Sequence, residues 1–276
     1  MPIFILVVLV FVGLTAPWIA PYDPIEQSLR GRNAPPTWWD SGFYEENPGL
    51  DKQFFFGADH VGRDVLSRVI HGAQISLMVA AISLSTGIVL GTAFGIAAGW
   101  YGGIIDEIMM RIVDVWLALP FLLLALIITM LLGQSFWTLM GLLALLAWSA
   151  GVRNIRAEVL SLKERDYVAL ARISGASTMR MVMRHIVPGV VNTVVVLATL
   201  RVGQLILAEA ALSFLGAGIP APTPSWGLII NEGREYLDVA WWIAFFPGLA
   251  IFLLVMALNF LGDWLRDRMD PRLRQF

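Results

Sequence analysis

The fold is decided first by residues 75–98, which read ISLMVAAISLSTGIVLGTAFGIAA. This run of 24 residues contains no charged side chain. It is long enough to cross a membrane, because a hydrocarbon layer about 30 Å thick needs roughly 20 residues rising about 1.5 Å each. Gly87, Gly91, Gly95 and Gly99 recur at every fourth position. Since small residues at this spacing let backbones approach closely in lipid, we predict a spanning helix with one tightly packed face.

The composition extends this conclusion to the whole chain. Of the 276 residues, 58% are hydrophobic and 14% are charged, and the mean hydropathy is +0.73. One water-soluble core cannot bury so much apolar surface, so lipid must serve as part of the solvent. We therefore predict an all-α, polytopic membrane protein with six spans, at residues 1–20, 75–98, 108–132, 136–151, 188–215 and 241–261.

The apolar run at residues 1–20 has two interpretations. A cleaved signal peptide carries a basic segment before an apolar core of about 7–15 residues. Here no basic residue precedes the run, which is 19 residues long from Pro2 to Ala20 and is followed by Pro21. We therefore expect a first transmembrane helix.

The distribution of lysine and arginine predicts the orientation, because short cytoplasmic loops carry an excess of both. Residues 153–187 hold seven of these bases and the tail at 266–276 holds four, so both segments should be cytoplasmic. Counting spans back from them places loops 21–72 and 216–240 outside, where acids outnumber bases by eight to five and by three to one. Both termini are then cytoplasmic, and residues 73–265 form a core of five helices.

The segment between the fourth and fifth spans has a distinctive centre, which reads RDYVALARISGAS at residues 165–177. Helix formers run as far as Ser174, Gly175 can end that helix in the left-handed conformation, and Ser177 can cap a second one. Tyr167 and Leu170 supply apolar anchors for another protein. Four small residues would let that protein approach the backbone: Ala169, Ala171, Ser174 and Ala176. A helix lying on the membrane surface explains the same residues equally well.

These residues resemble a known element. Ala169-Leu170-Ala171-Arg172, Gly175-Ala176-Ser177 and the Ile-x-Pro at residues 186–188 are similar to the cytoplasmic "EAA" loop of permease subunits in bacterial ATP-binding-cassette (ABC) importers. In that family the loop docks into a groove on the ATPase. The resemblance therefore implies that coupling to an ATPase is carried by Asp166, Tyr167, Ala169, Leu170, Ala171, Arg172, Gly175, Ala176 and Ser177.

Four further segments, at residues 56–68, 101–114, 212–227 and 259–273, resemble the C-type permease of dipeptide and oligopeptide importers. The resemblance implies a type I ABC importer permease fold of the MetI-like kind in a bacterial or archaeal cytoplasmic membrane. It also implies three kinds of protein partner beside the membrane lipid: a B-type permease subunit, two cytoplasmic ATP-binding subunits and an extracytoplasmic solute-binding protein. Nothing in it implies a nucleic-acid partner.

Several chemistries are not expected in this chain. It has no cysteine, and its histidines and acids, such as His60 beside Asp59 and Asp64, lack the spacing of metal ligands, so we predict no metal site. It has no Gly-x-x-x-x-Gly-Lys-Ser/Thr phosphate loop either. We therefore expect no cofactor and no enzymatic activity here, with ATP and magnesium bound by the partner ATPases.

Two charged residues fall within the fifth predicted span. Arg201 and Glu209 are eight residues apart, which is about 12 Å along a helix and roughly 80° around it. Intramembrane charges usually face a protein interior or a water-filled cavity, so they are candidates for the translocation pathway or for structural pairs. Between the second and third spans, Asp106 and Glu107 have the spacing to pair with Arg111.

The leading hypothesis is ATP-driven uptake of peptides or related solutes by alternating access. An ion-coupled secondary transporter is the main alternative, but such proteins show internal repeats and paired intramembrane carboxylates, whereas Glu209 stands alone. An intramembrane hydrolase would need a nucleophile with a base or a metal, and no histidine lies in a predicted span. Nickel complexes and sugars stay open as solutes beside peptides.

Overall fold

The computed structural model describes residues 2–39 and 41–269, and over these residues the regular structure is helical. The helices are α1 (Pro2–Leu14), α2 (Ala16–Ile19), α3 (Phe43–Glu46), α4 (Val65–Tyr101), α5 (Gly103–Ala118), α6 (Phe121–Leu132), α7 (Phe136–Lys163), α8 (Asp166–Ile173), α9 (Thr178–Met181), α10 (Val187–Phe214), α11 (Trp226–Gly233) and α12 (Trp242–Met269). Short 3-10 turns lie at Leu29–Gly31 and Arg234–Tyr236. A π-helical turn at Val182–Ile186 joins α9 to α10, so residues 178–214 form one continuous helix.

Length and composition identify the helices that can cross a membrane. Within the described part of the chain, four qualify singly: α4, α7, the helix over 178–214, and α12. α5 and α6 together are long and apolar enough to count as a fifth if the bent pair is one span, and α1 is a shorter apolar helix. The all-α membrane fold is therefore confirmed, and the predicted count of six spans is approximately met. Of the predicted tail, residues 270–276 lie outside the described part.

Two predicted spans are interrupted, and proline explains both. The span predicted at 108–132 bends by 89° between α5 and α6, where Leu119 is extended with a ψ of 132°. Pro120 disfavours helical backbone in the residue before it. In the first span, α1 ends at Leu14 and a single turn follows, because Pro17 lacks an N–H group and its ring crowds the carbonyl group four residues earlier.

Two other helices are longer than predicted. α4 begins at Val65, eight residues before residue 73, where the predicted five-helix core begins. Asp64 caps the helix by accepting a hydrogen bond from the backbone N–H of Ser67 at 2.7 Å. α7 continues past Gly151 to Lys163, into the segment predicted as a cytoplasmic loop. In both cases charged residues lower the hydropathy while the backbone stays helical, so hydropathy located the end of the apolar run and not the end of the helix.

The glycines of α4 form the tight contact that their spacing predicts. A Cβ atom built at Gly87 would lie 2.4 Å from the Cβ of Ala147, and one built at Gly91 would lie 2.6 Å from the carbonyl oxygen of Trp148. Farther along, Cβ atoms built at Gly95 and Gly99 would each lie 2.8 Å from a side-chain Cβ of α7, that of Ile155 or Val159. α4 and α7 are therefore packed backbone against backbone, and the predicted packed face is confirmed.

Candidate functional site

The predicted coupling region consists of a helix, a glycine in the left-handed conformation and a second helix. α8 ends in a Schellman motif, in which the N–H of Ala176 donates to the carbonyl of Ala171 at 3.0 Å and the N–H of Gly175 donates to that of Arg172 at 3.1 Å. Gly175 has a φ of +75°, which favours glycine. The hydroxyl oxygen of Ser177 then caps α9 by accepting from the N–H of Arg180 at 3.4 Å. The predicted helix break at Gly175 is confirmed, with the short α8 before it; the second helix is longer than predicted, because α9 is the first turn of the continuous helix over 178–214.

Large apolar side chains on these two helices face away from the protein. The exposed fractions are 84% for Ile173, 69% for Met179, 63% for Leu170 and 45% for Tyr167. We call these four residues the apolar coupling patch. Tyr167 and Leu170 were expected as anchors from the sequence. Ile173 and Met179 were not, although their apolar side chains flank the turn at Gly175 on both sides.

The other predicted coupling residues lie around this patch. Asp166, Ala169, Arg172, Gly175 and Ser177 are exposed, while Ala171 and Ala176 are partly buried. In α8 the buried side chain is Val168, which belongs to a small core with Ile155, Val159, Leu162, Ile186 and Val190 of the neighbouring long helices. α8 is thus fixed to the bundle on one side and presents the remaining sides to its surroundings.

The two predicted intramembrane charges have separate surroundings. Glu209 is buried and accepts hydrogen bonds from the hydroxyl groups of Ser213 at 2.8 Å and Ser76 at 3.1 Å, which links α10 to α4. Arg201 is partly exposed, and its Nη1 donates to the side-chain oxygen of Gln204. It lines a crevice between α4, α7 and α10. A pathway role for the two residues stays a prediction.

Sequence reasoning missed a buried ion network at the predicted outer end. Asp59 accepts from Arg63 and from Arg68 at 2.6 Å each, and Glu232 of α11 binds the same two arginines at 2.9 and 2.7 Å. Burial would raise the pKa of Asp59, but Arg68, Arg63 and the backbone N–H groups of Arg63 and Val61 together hold it below its ordinary value. The network fixes the outer loop against α11, 169 residues away in sequence.

Ion pairs at the opposite end join α5 to α7. Asp106 forms a bidentate pair with Arg156, with 2.5 Å between its Oδ2 and Nη2, and Asp114 pairs with Arg153 at 2.5 Å. The predicted pair of Glu107 with Arg111 is present at 3.4 Å on an exposed surface. The predicted pair of Asp106 with Arg111 is wrong, because Arg156 offers two parallel N–H donors that match a carboxylate.

Comparison with known families and relatives agrees with this geometry. Residues 91–275 match the family described as binding-protein-dependent transport system inner membrane component, and residues 3–36 match the N-terminal TM domain of oligopeptide transport permease C. The di/tripeptide transport system permease protein DppC of Pseudomonas aeruginosa is 40% identical over 269 residues, covering 98% of this chain and 86% of that protein. The glutathione transport system permease protein GsiD of Escherichia coli O157:H7 is 40% identical, covering 97% and 84%.

A solved structure shows the same fold. The methionine ABC transporter MetNI in an inward-facing conformation matches with a TM-score of 0.56 and 20% identity, over 74% of this chain and 96% of the other. This likeness confirms the predicted MetI-like permease fold. From the match over residues 91–275 and the 40% identical relatives together, the chain belongs to the family of inner membrane components of binding-protein-dependent transport systems, the permease subunits of ABC transporters.

Proposed function

We propose that this chain is the C-type permease subunit of an ATP-driven importer of dipeptides or oligopeptides. The names of its relatives support peptides as the solute class, since they are di/tripeptide, dipeptide and glutathione permeases. The partners are a B-type permease, two cytoplasmic ATP-binding subunits that hold ATP and magnesium, and an extracytoplasmic solute-binding protein. Both termini of the chain lie in the cytoplasm.

The apolar coupling patch is the observation that carries this proposal. Ile173 and Leu170 on α8 and Met179 on α9 expose more than half of their surface, and Arg172 and Arg180 add positive charge near them. Apolar surface of this kind in an aqueous compartment indicates a protein contact. A short helix with apolar anchors and a polar rim is suited to docking in a groove of a partner. A cytoplasmic ATPase is the partner that this placement favours.

α8 is connected closely to two long helices, so an ATPase docked on α8 would move them. Two residues, Glu164 and Arg165, separate α8 from α7, and the helix that begins at Thr178 continues through α10 to Phe214. A displacement of α8 therefore moves α7 and α10 together. Motion of these spans relative to the partner permease would open the pathway alternately to the two sides, as hinge or rigid-body transitions do in other proteins.

Charged substitutions in the patch test the proposal. Leu170→Asp and Ile173→Asp would put a carboxylate into an apolar groove, and we expect ATPase docking to weaken by about 30-fold or more, the effect of losing an interface hot spot of about 2 kcal/mol. The measurements are co-purification of the ATPases and ATP-dependent uptake of a labelled dipeptide. Ser161→Asp, at an exposed position on α7, is the matched control and should retain both. Full docking with both patch variants would contradict the proposal, as would uptake that persists on an ion gradient after ATP is depleted.

The absence of cysteine makes the orientation easy to test. A single Ile173→Cys variant carries one thiol in the chain. We expect a membrane-impermeant maleimide to label it in inside-out vesicles and not in right-side-out vesicles, and bound ATPase should slow the labelling. Labelling from the outside would contradict the proposed topology. Labelling that reports burial in lipid would favour the membrane-surface interpretation of α8.

A further inference from the structure

One arginine that has no acidic partner in the described part of the chain lies deep in the long helix over 178–214. Arg201 is 13 residues from Phe214, the predicted outer end of the helix, which corresponds to about 20 Å along the axis. Among the described residues its guanidinium contacts the neutral side chain of Gln204 and forms no ion pair. A positive charge at this depth is costly unless it faces water or protein, so it indicates a polar path.

The neighbours of Arg201 form one face of α10. Leu197, Arg201, Gln204, Ala208 and Ala211 follow each other at steps of four, three, four and three residues, so they share one side of the helix. Arg201 is partly exposed and Gln204 is exposed. Toward the predicted outer end the face continues with two partly buried alanines, of which Ala208 packs against the core.

The crevice beside Arg201 is narrow and is lined by small residues together with the larger apolar side chains of Ile88, Ile155, Val194 and Leu197. α7 contributes Ala147, Ala150 and Gly151, and α4 contributes Thr92. Glu209 does not neutralise the arginine, because its carboxylate is buried and takes hydrogen bonds from serine hydroxyl groups. The guanidinium therefore keeps N–H donors that no described residue occupies.

We propose that Arg201, with Gln204 beside it, binds the carboxylate of the transported solute as the solute passes this level. The inference rests on the proposed function, since peptides carry a carboxylate at their C-terminus. The planar guanidinium presents paired N–H donors that match a carboxylate, and it stays charged at every physiological pH. Gln204 holds the guanidinium through a neutral contact, so an entering carboxylate has no built-in anion to displace.

Uptake of peptides with and without a C-terminal carboxylate tests this inference. The complete complex with its ATPases and binding protein is reconstituted in vesicles, and ATP-dependent uptake is measured for dialanine and trialanine and for their C-terminal amides. We expect Arg201→Gln to lower uptake of the free peptides by about 10- to 100-fold, the effect of one charge-assisted hydrogen-bonded contact, and to leave uptake of the amides within about twofold. Arg201→Lys should be intermediate, because it keeps the charge without the paired donors.

The controls separate recognition from assembly. The binding protein is a separate chain, so its own preference is the same in all variants and cancels in the ratio of free peptide to amide. Leu207→Ala changes an exposed residue on another face of α10 and should leave the ratio unchanged. Equal losses for free and amidated peptides, or a loss of the partner permease from the purified complex, would overturn the inference and indicate a structural charge pair across the permease interface. An unchanged ratio would overturn it too, while absence of ATP-dependent uptake in the unmodified complex would overturn the proposed function itself.

Discussion

Replacing Gly91 by alanine tests how closely α4 and α7 are packed. The added Cβ atom would lie 2.6 Å from the carbonyl oxygen of Trp148 and 3.0 Å from the Cα atom of Gly151. Both are backbone atoms, so no rotation of a side chain relieves the overlap. The helices must separate by about 0.8 Å to reach the 3.4 Å at which ordinary van der Waals contact begins. A gap of 0.5–1 Å forfeits roughly a quarter to a half of the dispersion attraction between facing atoms, so we expect the free energy of unfolding to fall by about 1–3 kcal/mol.

The measurement is reversible unfolding of the purified permease complex in mixed micelles, followed by tryptophan fluorescence during a titration with SDS. Gly141→Ala is the matched control, because it makes the same substitution in α7 where nothing lies within 4 Å of the added atom. We expect that variant to be unchanged or stabilised by up to about 1 kcal/mol, since alanine is the better helix former. If Gly91→Ala unfolds at the same SDS concentration as Gly141→Ala, the reasoning about the helix contact is refuted.

Three other predictions follow from the ion network, its acid and the coupling turn. Arg68→Met leaves the buried carboxylate of Asp59 and the partly buried carboxylate of Glu232 with one cation fewer. It should lower the free energy of unfolding by about 3–5 kcal/mol in the same titration, whereas Arg111→Gln, at an exposed pair, should cost less than about 1 kcal/mol. Because the folded-state pKa of Asp59 is lowered, its contribution to stability is present at neutral pH and is lost as the pH falls from about 4 toward that pKa, so Asp59→Asn should flatten the acid side of the stability profile. Gly175→Ala forces a side chain into the left-handed region, so it should lower the free energy of unfolding by about 1–2 kcal/mol and reduce peptide-stimulated ATPase activity, whereas an equal ATPase activity in both proteins would show that the turn is not needed.

The sequence alone predicted features whose cause is local. Small residues at every fourth position, as in α4, allow a close helix contact in any membrane helix. Gly175 ends a helix because glycine readily adopts the left-handed conformation. The helix–glycine–helix shape of the coupling region was predictable for that reason. The break at Pro120 is local too, and the rule that disfavours helix before proline would have located it.

Features that depend on distant residues were not predictable from the sequence. Several acidic residues lie near Arg63 and Arg68 in the sequence. No periodicity or spacing identifies Glu232 as their partner, because only the fold brings it close to them. Asp106 likewise pairs with Arg156, 50 residues away, instead of with Arg111 on the same helix. For the apolar coupling patch, the sequence indicated two apolar anchors, but the exposure of Ile173 and Met179 follows from which sides of α8 and α9 pack on the bundle.

The backbone contact between α4 and α7 also determines where this subunit can deform. Backbones in direct contact have no side-chain rotamers to change and compress very little. We therefore expect α4 and α7 to move together as one rigid unit. A force applied at Asp166 therefore reaches the opposite end of α7, 28 residues long, with little lost on the way. We therefore expect the flexibility that a transport cycle requires to lie elsewhere, at the bend beside Pro120 between α5 and α6.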